Sequence, residues 1–201
     1  MKFVNPKVVA DIAAGRLLKL DLGCGPRPKE GYYGVDHADM PTVDIAANLE
    51  EPLTELPANS VEAIVTRHTM EHIVNFLPLL KEIHRVVIPG GTVDVEVPHF
   101  SNPYYYSDPT HVRFFGLYTF HYFSDPVSQP RRPVPNFYMA ERFQVRSIKF
   151  SLMPTLIMNK PIRRLSTKIL NCSFRLQDYY ERALCRHFPV SSIKYALTVQ
   201  K

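Results

Sequence analysis

The 201-residue chain contains no apolar run approaching the ~18 residues that a membrane span requires. Its opening stretch, Met1 to Arg16, has no long apolar core and no signal-peptide layout. A cytoplasmic protein without a transmembrane segment is expected. Cysteine is scarce: Cys24, Cys172 and Cys185 have neither the spacing of a zinc site nor the density of a disulfide scaffold. They fit a reducing compartment. Internal repeats, low-complexity tracts and linkers are also missing, so 1–201 is expected to be a single domain. With 45% hydrophobic and 21% charged residues the chain can bury a core and is not a disordered segment. A formal net charge of +5 is compatible with an anionic substrate, a nucleic acid or a membrane surface, and selects none of them.

What is present reads as alternating strands and helices. Val8, Val9, Ile12 and Ala13 lie at helical spacing within 8–18, and Gly15 ends the run. Leu18, Leu20 and Leu22 form a short strand. Further strands are expected at Tyr33 to Asp36, Thr42 to Ala46 and Val61 to Thr66, the last β-branched and apolar. Met70, Ile73, Phe76, Leu79, Leu80, Ile83 and Val87 give one helical stripe over 69–86. Pro89-Gly90-Gly91 is a sharp turn before a strand at 92–97. The aromatic, proline-rich stretch 98–135 reads as an ordered insertion around an acceptor site. A strand at 143–150, helices at 162–171 and 174–187 and a last strand at 192–199 follow. The helical part is expected around 155–187. Strands alternating with helices imply a parallel sheet with right-handed crossovers.

The chemistry begins at Asp21-Leu22-Gly23-Cys24-Gly25-Pro26. A strand ending in a glycine-rich turn lets a ligand approach the backbone, because glycine has no Cβ. In open parallel sheets ligands sit beyond the carboxyl ends of the strands. A dinucleotide fingerprint would need a third glycine opening a helix, and here Arg27-Pro28 follows instead. No Gly-Lys-Ser/Thr follows, which excludes a P-loop. A tight turn without a ligand is the plain alternative.

The neighbours shift the balance. Asp36, with His37 beside it, ends the next strand, where a carboxylate can accept both ribose hydroxyl protons of a nucleoside. Then come Asn48-Leu49, Leu56-Pro57, Arg67-His68-Thr69-Met70-Glu71-His72 and finally Pro89-Gly90-Gly91. In this order and spacing the stretch from Leu18 to Val97 resembles the class I S-adenosylmethionine-dependent methyltransferases, in particular the small "type 11" group. The resemblance implies an α/β, Rossmann-like methyltransferase fold, a mostly parallel twisted sheet with helices on both faces, and S-adenosyl-L-methionine as cofactor. It implies that Asp21, Gly23, Cys24 and Gly25 contact the methionine part, that Asp36 binds the ribose, and that Asn48 and Leu49 meet the adenine. Arg67 and His68 match positions lining the methyl end. Three departures stand out, one being Asn59-Ser60-Val61-Glu62-Ala63, where Glu62-Ala63 replaces the second acid of the family's Asp-x-x-Phe-Asp pattern. Gly25 to Tyr33 is too short for the usual helix, so an abbreviated crossover is expected. Asn48 replaces the usual aspartate and lacks its charge.

Methyl transfer needs chiefly alignment, which can remove on the order of 7–11 kcal/mol of barrier. A histidine with a pKa near ~6.5 suits removal of an acceptor proton. Of the eight histidines, His84, His121 and His187 have no supporting context. His99, at the end of the fifth strand, His111 and His68 are the candidate catalytic residues. His68 and His72, four apart, could share a helical face and hold a metal, but no third ligand can be named and none is expected. Asp108-Pro109-Thr110-His111-Val112-Arg113-Phe114-Phe115 resembles a string in methyltransferases encoded with bacterial polysaccharide genes. It also reads as a turn in which Asp108 caps a helix. Tyr104, Tyr105, Tyr106, His99, His111 and Arg113 are taken as the acceptor wall, aromatic faces with polar tips being suited to sugar rings.

The expected activity is therefore methyl transfer to a small-molecule or saccharide acceptor. A nucleic-acid methyltransferase is supported only by the basic balance and lacks an Asn-Pro-Pro-Tyr-type motif. A non-catalytic cofactor-binding module, or a relative that transfers aminopropyl groups, is a third class. Lys160, Arg163, Arg164 and Lys168 leave open a peripheral contact with anionic lipid.

Overall fold

The computed structural model describes residues 1–154 and 159–201. One eight-stranded sheet runs in the order β1-β4-β3-β2-β5-β6-β8-β7. The strands are β1 (Lys2–Phe3), β2 (Leu18–Leu22), β3 (Tyr33–Asp36), β4 (Ile45–Ala46), β5 (Val61–Arg67), β6 (Val87–Pro98), β7 (Arg142–Leu152) and β8 (Val190–Gln200). β2 pairs in parallel with β3 on one side and β5 on the other, and β4 and β6 continue in parallel outward. β8 inserts antiparallel between β6 and β7, and β1 is antiparallel to β4. The chain thus turns one way from β2 to β3 and returns to the other side at β5. This reversal of strand order opens a crevice at the carboxyl ends of β2 and β5.

Sequence explains the elements. Leu18, Leu20 and Leu22 alternate onto one face and are fully buried, as are Val35 and Ile64 beside them. Each such side chain contributes about 1.5–3 kcal/mol of burial. Helix α1 (Pro6–Ala13) starts with Pro6 at a position whose N–H is spare, and the Asn5 side chain accepts from Lys7 N. Gly15, at φ +66°, ends it. Residues 23–32 contain no helix, in keeping with the short spacing.

The expected helix over 69–86 is broken. Met70–His72 is a single 3-10 turn, the chain extends at Ile73, and helix α2 (Phe76–Val86) starts afresh after Asn75. Pro78 falls in the first turn of α2, where its missing N–H costs no hydrogen bond. Pro89 to Gly91 is not a separate turn but an outward loop within β6: Val61 pairs with Val87 and Ala63 with Thr92. Gly90 takes φ +77° there. Asp108 caps no helix. Its Oδ1 accepts from Thr110 N at 2.9 Å and Thr110 Oγ1 at 2.5 Å, closing a local turn instead.

Within 98–135 only short 3-10 turns form, at Pro103–Ser107, Thr119–Phe123 and Pro126–Ser128. Their aromatics, with α2 and α4 (Phe174–Ala183), cover one face of the sheet: Phe120 meets Tyr195 at 4.6 Å, His84 meets Phe143 at 5.7 Å and Tyr180 meets Phe150 at 5.6 Å. The opposite face of β5, β6, β8 and β7 carries Asp94, Glu96, Lys149 and Lys194 and lines an open groove of about 360 Å³. Helices thus cover one face of this half of the sheet. Helix α3 (Lys160–Leu170) precedes α4, and Asn171 binds the Phe150 N–H and carbonyl. The first residues of the helical part expected around 155–187, namely 155–158, lie outside the described residues.

Candidate active site

The glycine turn is shaped by its neighbours. Gly23 and Gly25 take φ +67° and +55°, a region that side-chain-bearing residues rarely adopt. The N–H groups of Gly23 and Cys24 both donate to Val35 O, at 2.8 and 3.2 Å, locking the turn to the end of β3. From there Asp36 reaches back: its Oδ2 accepts from Gly25 N at 3.0 Å and its Oδ1 from Ala38 N at 3.0 Å. Two backbone donors fix the carboxylate at the rim of a cavity of about 470 Å³. Asp36, His37, Asn48, Leu49 and Gly23 line one side of this cavity, and His68, Thr69, His72 and Thr110 the other.

Other predicted residues support the turn without lining that space. Asp21 is fully buried; its Oδ2 accepts from Lys29 N at 2.7 Å and Arg67 Nη2 at 2.8 Å. Arg67 Nη2 also donates to Arg27 O at 3.0 Å. These three hydrogen bonds brace the loop that replaces the missing crossover helix, and they turn Arg67 away from the cavity. Cys24 contributes backbone; burial, with Asp36 nearby, pushes its thiol up to about 11, so it stays neutral.

His68 is not on a helical face with His72. It precedes the 3-10 turn and takes φ +53°, with its N–H donating to Glu96 O at 2.8 Å. Its Nδ1 lies 3.4 Å from Glu71 Oε1, and this carboxylate raises the pKa of the imidazole. Glu71 itself is fully buried.

The acceptor wall separates into parts. Tyr105 is buried, stacks on His111 at 4.5 Å and presents its carbonyl to His111 Nδ1 at 2.9 Å. Tyr104 and Tyr106 are exposed. Arg113 lies over the Phe76 ring at 4.8 Å and donates to Val74 O, and burial lowers its pKa. His99 does not join the group. It is fully buried, with Nδ1 2.7 Å from Ser101 Oγ and Nε2 3.2 Å from Glu181 Oε2, and packs between Phe100 and Phe150.

Sequence reasoning missed Glu50 and Thr69. Both Glu50 oxygens accept backbone N–H groups, of Val74 and Asn75, each at 2.7 Å, pinning the Asn48 loop to the start of α2. That pairing exists only because the helix breaks before residue 76, and the apolar spacing gives no sign of the break.

A family model described as "Methyltransferase domain" matches residues 28–94. That third of the chain is thus similar to a methyltransferase domain. The domain match starts just past the glycine turn. Solved structures share the fold at low identity. A SAM-dependent methyltransferase from Archaeoglobus fulgidus is 16% identical, with a TM-score of 0.53 over 96% of this chain and 91% of that one. The YcgJ protein from Bacillus subtilis is 13% identical, with a TM-score of 0.51 over 98% of each chain. No curated protein matches the chain in sequence. No helix among the described residues is long and apolar enough to cross a membrane.

Proposed function

We propose that this chain is a methyltransferase that transfers a methyl group from S-adenosylmethionine to a hydroxyl or amine of a small-molecule or saccharide acceptor. The observation that carries this reading is the convergence of Gly23, Asp36, Asn48, Leu49 and His68 on one cavity at the carboxyl ends of β2, β3 and β5. The cofactor fits the residues there. Asp36 keeps lone pairs free for two ribose hydroxyls while its backbone donors hold it still. Gly25 leaves open space where a Cβ would sit, while Gly23 lets Thr69 pack against the turn. Asn48 Oδ1 and the Leu49 side chain offer an acceptor and an apolar edge for a base.

Bound S-adenosylmethionine supplies a sulfonium-activated methyl group. His68 takes the acceptor proton. It lines the cavity, and the neighbouring Glu71 makes it a stronger base than a free imidazole. The three cysteines are free thiols and suit a reducing cytoplasm. Calorimetry with S-adenosylmethionine and S-adenosylhomocysteine, then a labelled-methyl screen over saccharides and small alcohols, tests the reading. Absence of affinity for both nucleosides overturns it; binding followed by transfer only to RNA moves the acceptor to the nucleic-acid class.

A further inference from the structure

We propose that Glu71, His72 and His111 form a binding site for one divalent first-row transition-metal cation, of the zinc or iron(II) class, at the acceptor end of the cavity.

One ligand atom from each of the three lies within 4.8 Å of the other two. The arrangement is unusual because of Glu71. Its side chain is wholly buried, and among the described residues neither carboxylate oxygen has a hydrogen-bond partner. Leaving such a group unsatisfied costs several kcal/mol, so its surroundings need a further donor or a cation. His68 Nδ1, at 3.4 Å, approaches one oxygen and leaves the other unattended.

Both histidines are arranged as ligands. His111 Nδ1 faces the Tyr105 carbonyl at 2.9 Å, which requires the proton on Nδ1 and leaves a lone pair on neutral Nε2, with Asp108 Oδ2 3.7 Å from it. His72 Nδ1 is 2.8 Å from Thr110 Oγ1. That hydroxyl spends its proton on Asp108 Oδ1 at 2.5 Å, so it accepts from His72, and His72 Nε2 also keeps its lone pair. Outer partners that fix the tautomer and angle of ligating imidazoles are the usual support of metal sites. The two rings sit 4.7 Å apart, centre to centre. Val112 N donates to Glu71 O at 2.9 Å, so the ligand-bearing segments are tied together before any ion arrives.

Two imidazoles, borderline donors, beside one hard carboxylate favour zinc, iron(II), cobalt or manganese over calcium or magnesium. Tetrahedral ligands about 2.1 Å from an ion stand roughly 3–3.5 Å apart, so the three side chains would draw in by about an ångström. A three-residue set leaves one position open. His72 and Thr110 line the cavity, so that position faces the place where the acceptor would sit. An acceptor hydroxyl bound there would be acidified by the cation, a role that rests on the methyl-transfer reading; the metal site itself does not.

The test uses the full chain stripped with chelator, titrated with Zn²⁺ by calorimetry and with Co²⁺ by visible absorption. The expected result is one ion per chain, the intense visible bands of a low-coordinate cobalt site, and a rise in melting temperature with Zn²⁺. Glu71→Gln and His111→Ala should each weaken binding at least tenfold and abolish the thermal shift, while His84→Ala keeps full affinity. Metal-free Glu71→Gln should melt no lower than metal-free wild type, since it removes the unsatisfied carboxylate. S-adenosylhomocysteine affinity, measured on the same samples, separates the two proposals: zinc binding without nucleoside binding leaves the metal site standing and sinks the cofactor reading. Wild-type protein that takes up neither ion, or affinity unchanged in both Glu71→Gln and His111→Ala, overturns the metal site.

Discussion

Thr69 occupies the space that a side chain at position 23 would need: an added Cβ on Gly23 would lie 2.2 Å from Thr69 Oγ1 and 2.4 Å from its Cγ2. The first residues after β5 therefore close the turn that follows β2. Gly23→Ala is expected to destabilise the protein by about 1–3 kcal/mol, combining a positive φ with a clash. It should also displace the cofactor side of the cavity. Thr69→Ala in the same chain should restore part of the loss, because it removes the two nearest atoms but leaves Cβ, at 2.8 Å. Thermal melts and S-adenosylhomocysteine calorimetry on both variants check this; equal damage in the single and double variants refutes the coupling.

Asp36 both braces the turn and faces the cavity. Asp36→Asn retains one acceptor oxygen but loses the second, so it cannot hold both backbone donors and both ribose hydroxyls. A loss of about 1.5–3 kcal/mol in cofactor affinity, roughly ten- to hundredfold, is expected from a hydrogen bond to a charged group. Calorimetry measures it directly, and unchanged affinity removes Asp36 from the ribose role.

Much of this arrangement was legible because strand alternation is local. Leu18, Leu20 and Leu22 declare a strand, and a glycine pair after it declares a turn. The ends of β2 and β3 then place Gly23 and Asp36 together. Two misreadings also had local signals. His99 has the same parity as Val93, Val95 and Val97, all buried, so alternation alone points it into the core rather than to the crevice. Arg67 shares its face with Val65, which pairs with Asp21, and so turns to that carboxylate. The break at Ile73 was not legible: the apolar stripe runs through it unchanged, and the Glu50 contacts that stabilise the break come from a distant loop. Glu71 falls off that stripe and reads as a surface position until the 108–112 segment is seen to cover it.

His121 sets an acid limit on stability. Its ring is buried between Tyr118 and Phe174, neither nitrogen has a partner among the described residues, and burial pushes its pKa down to about 4. The unfolded chain binds this proton near the ordinary value of about 6.5. Between those values the unfolded state carries more protons, so stability falls as pH drops from about 6.5 toward about 4, then levels with respect to this group. The contribution is on the order of 3 kcal/mol. His121→Phe should flatten this part of the pH–stability curve in denaturant titrations, and a curve identical to wild type would exclude His121 as its source.

His68 and His99 should fail in different ways when replaced. His68 lines the cavity and is half exposed, so His68→Ala should keep S-adenosylhomocysteine affinity within a few-fold, with a modest loss of stability from alanine at φ +53° and from Glu71 losing its neighbouring imidazole. Turnover should fall by about 10²–10⁴ if it is the general base, with the acid limb of the pH–rate profile lost. His99 holds Ser101 and Glu181, and Glu181 Oε2 also accepts from Leu117 N at 2.6 Å, so His99 joins α4 to the insertion. His99→Ala leaves a buried gap and frees those partners, at a cost of about 2–4 kcal/mol. Its surviving folded fraction should retain the wild-type pH profile. The reverse pattern, in which His99→Ala alters the pH profile and His68→Ala lowers only stability, would reassign the base.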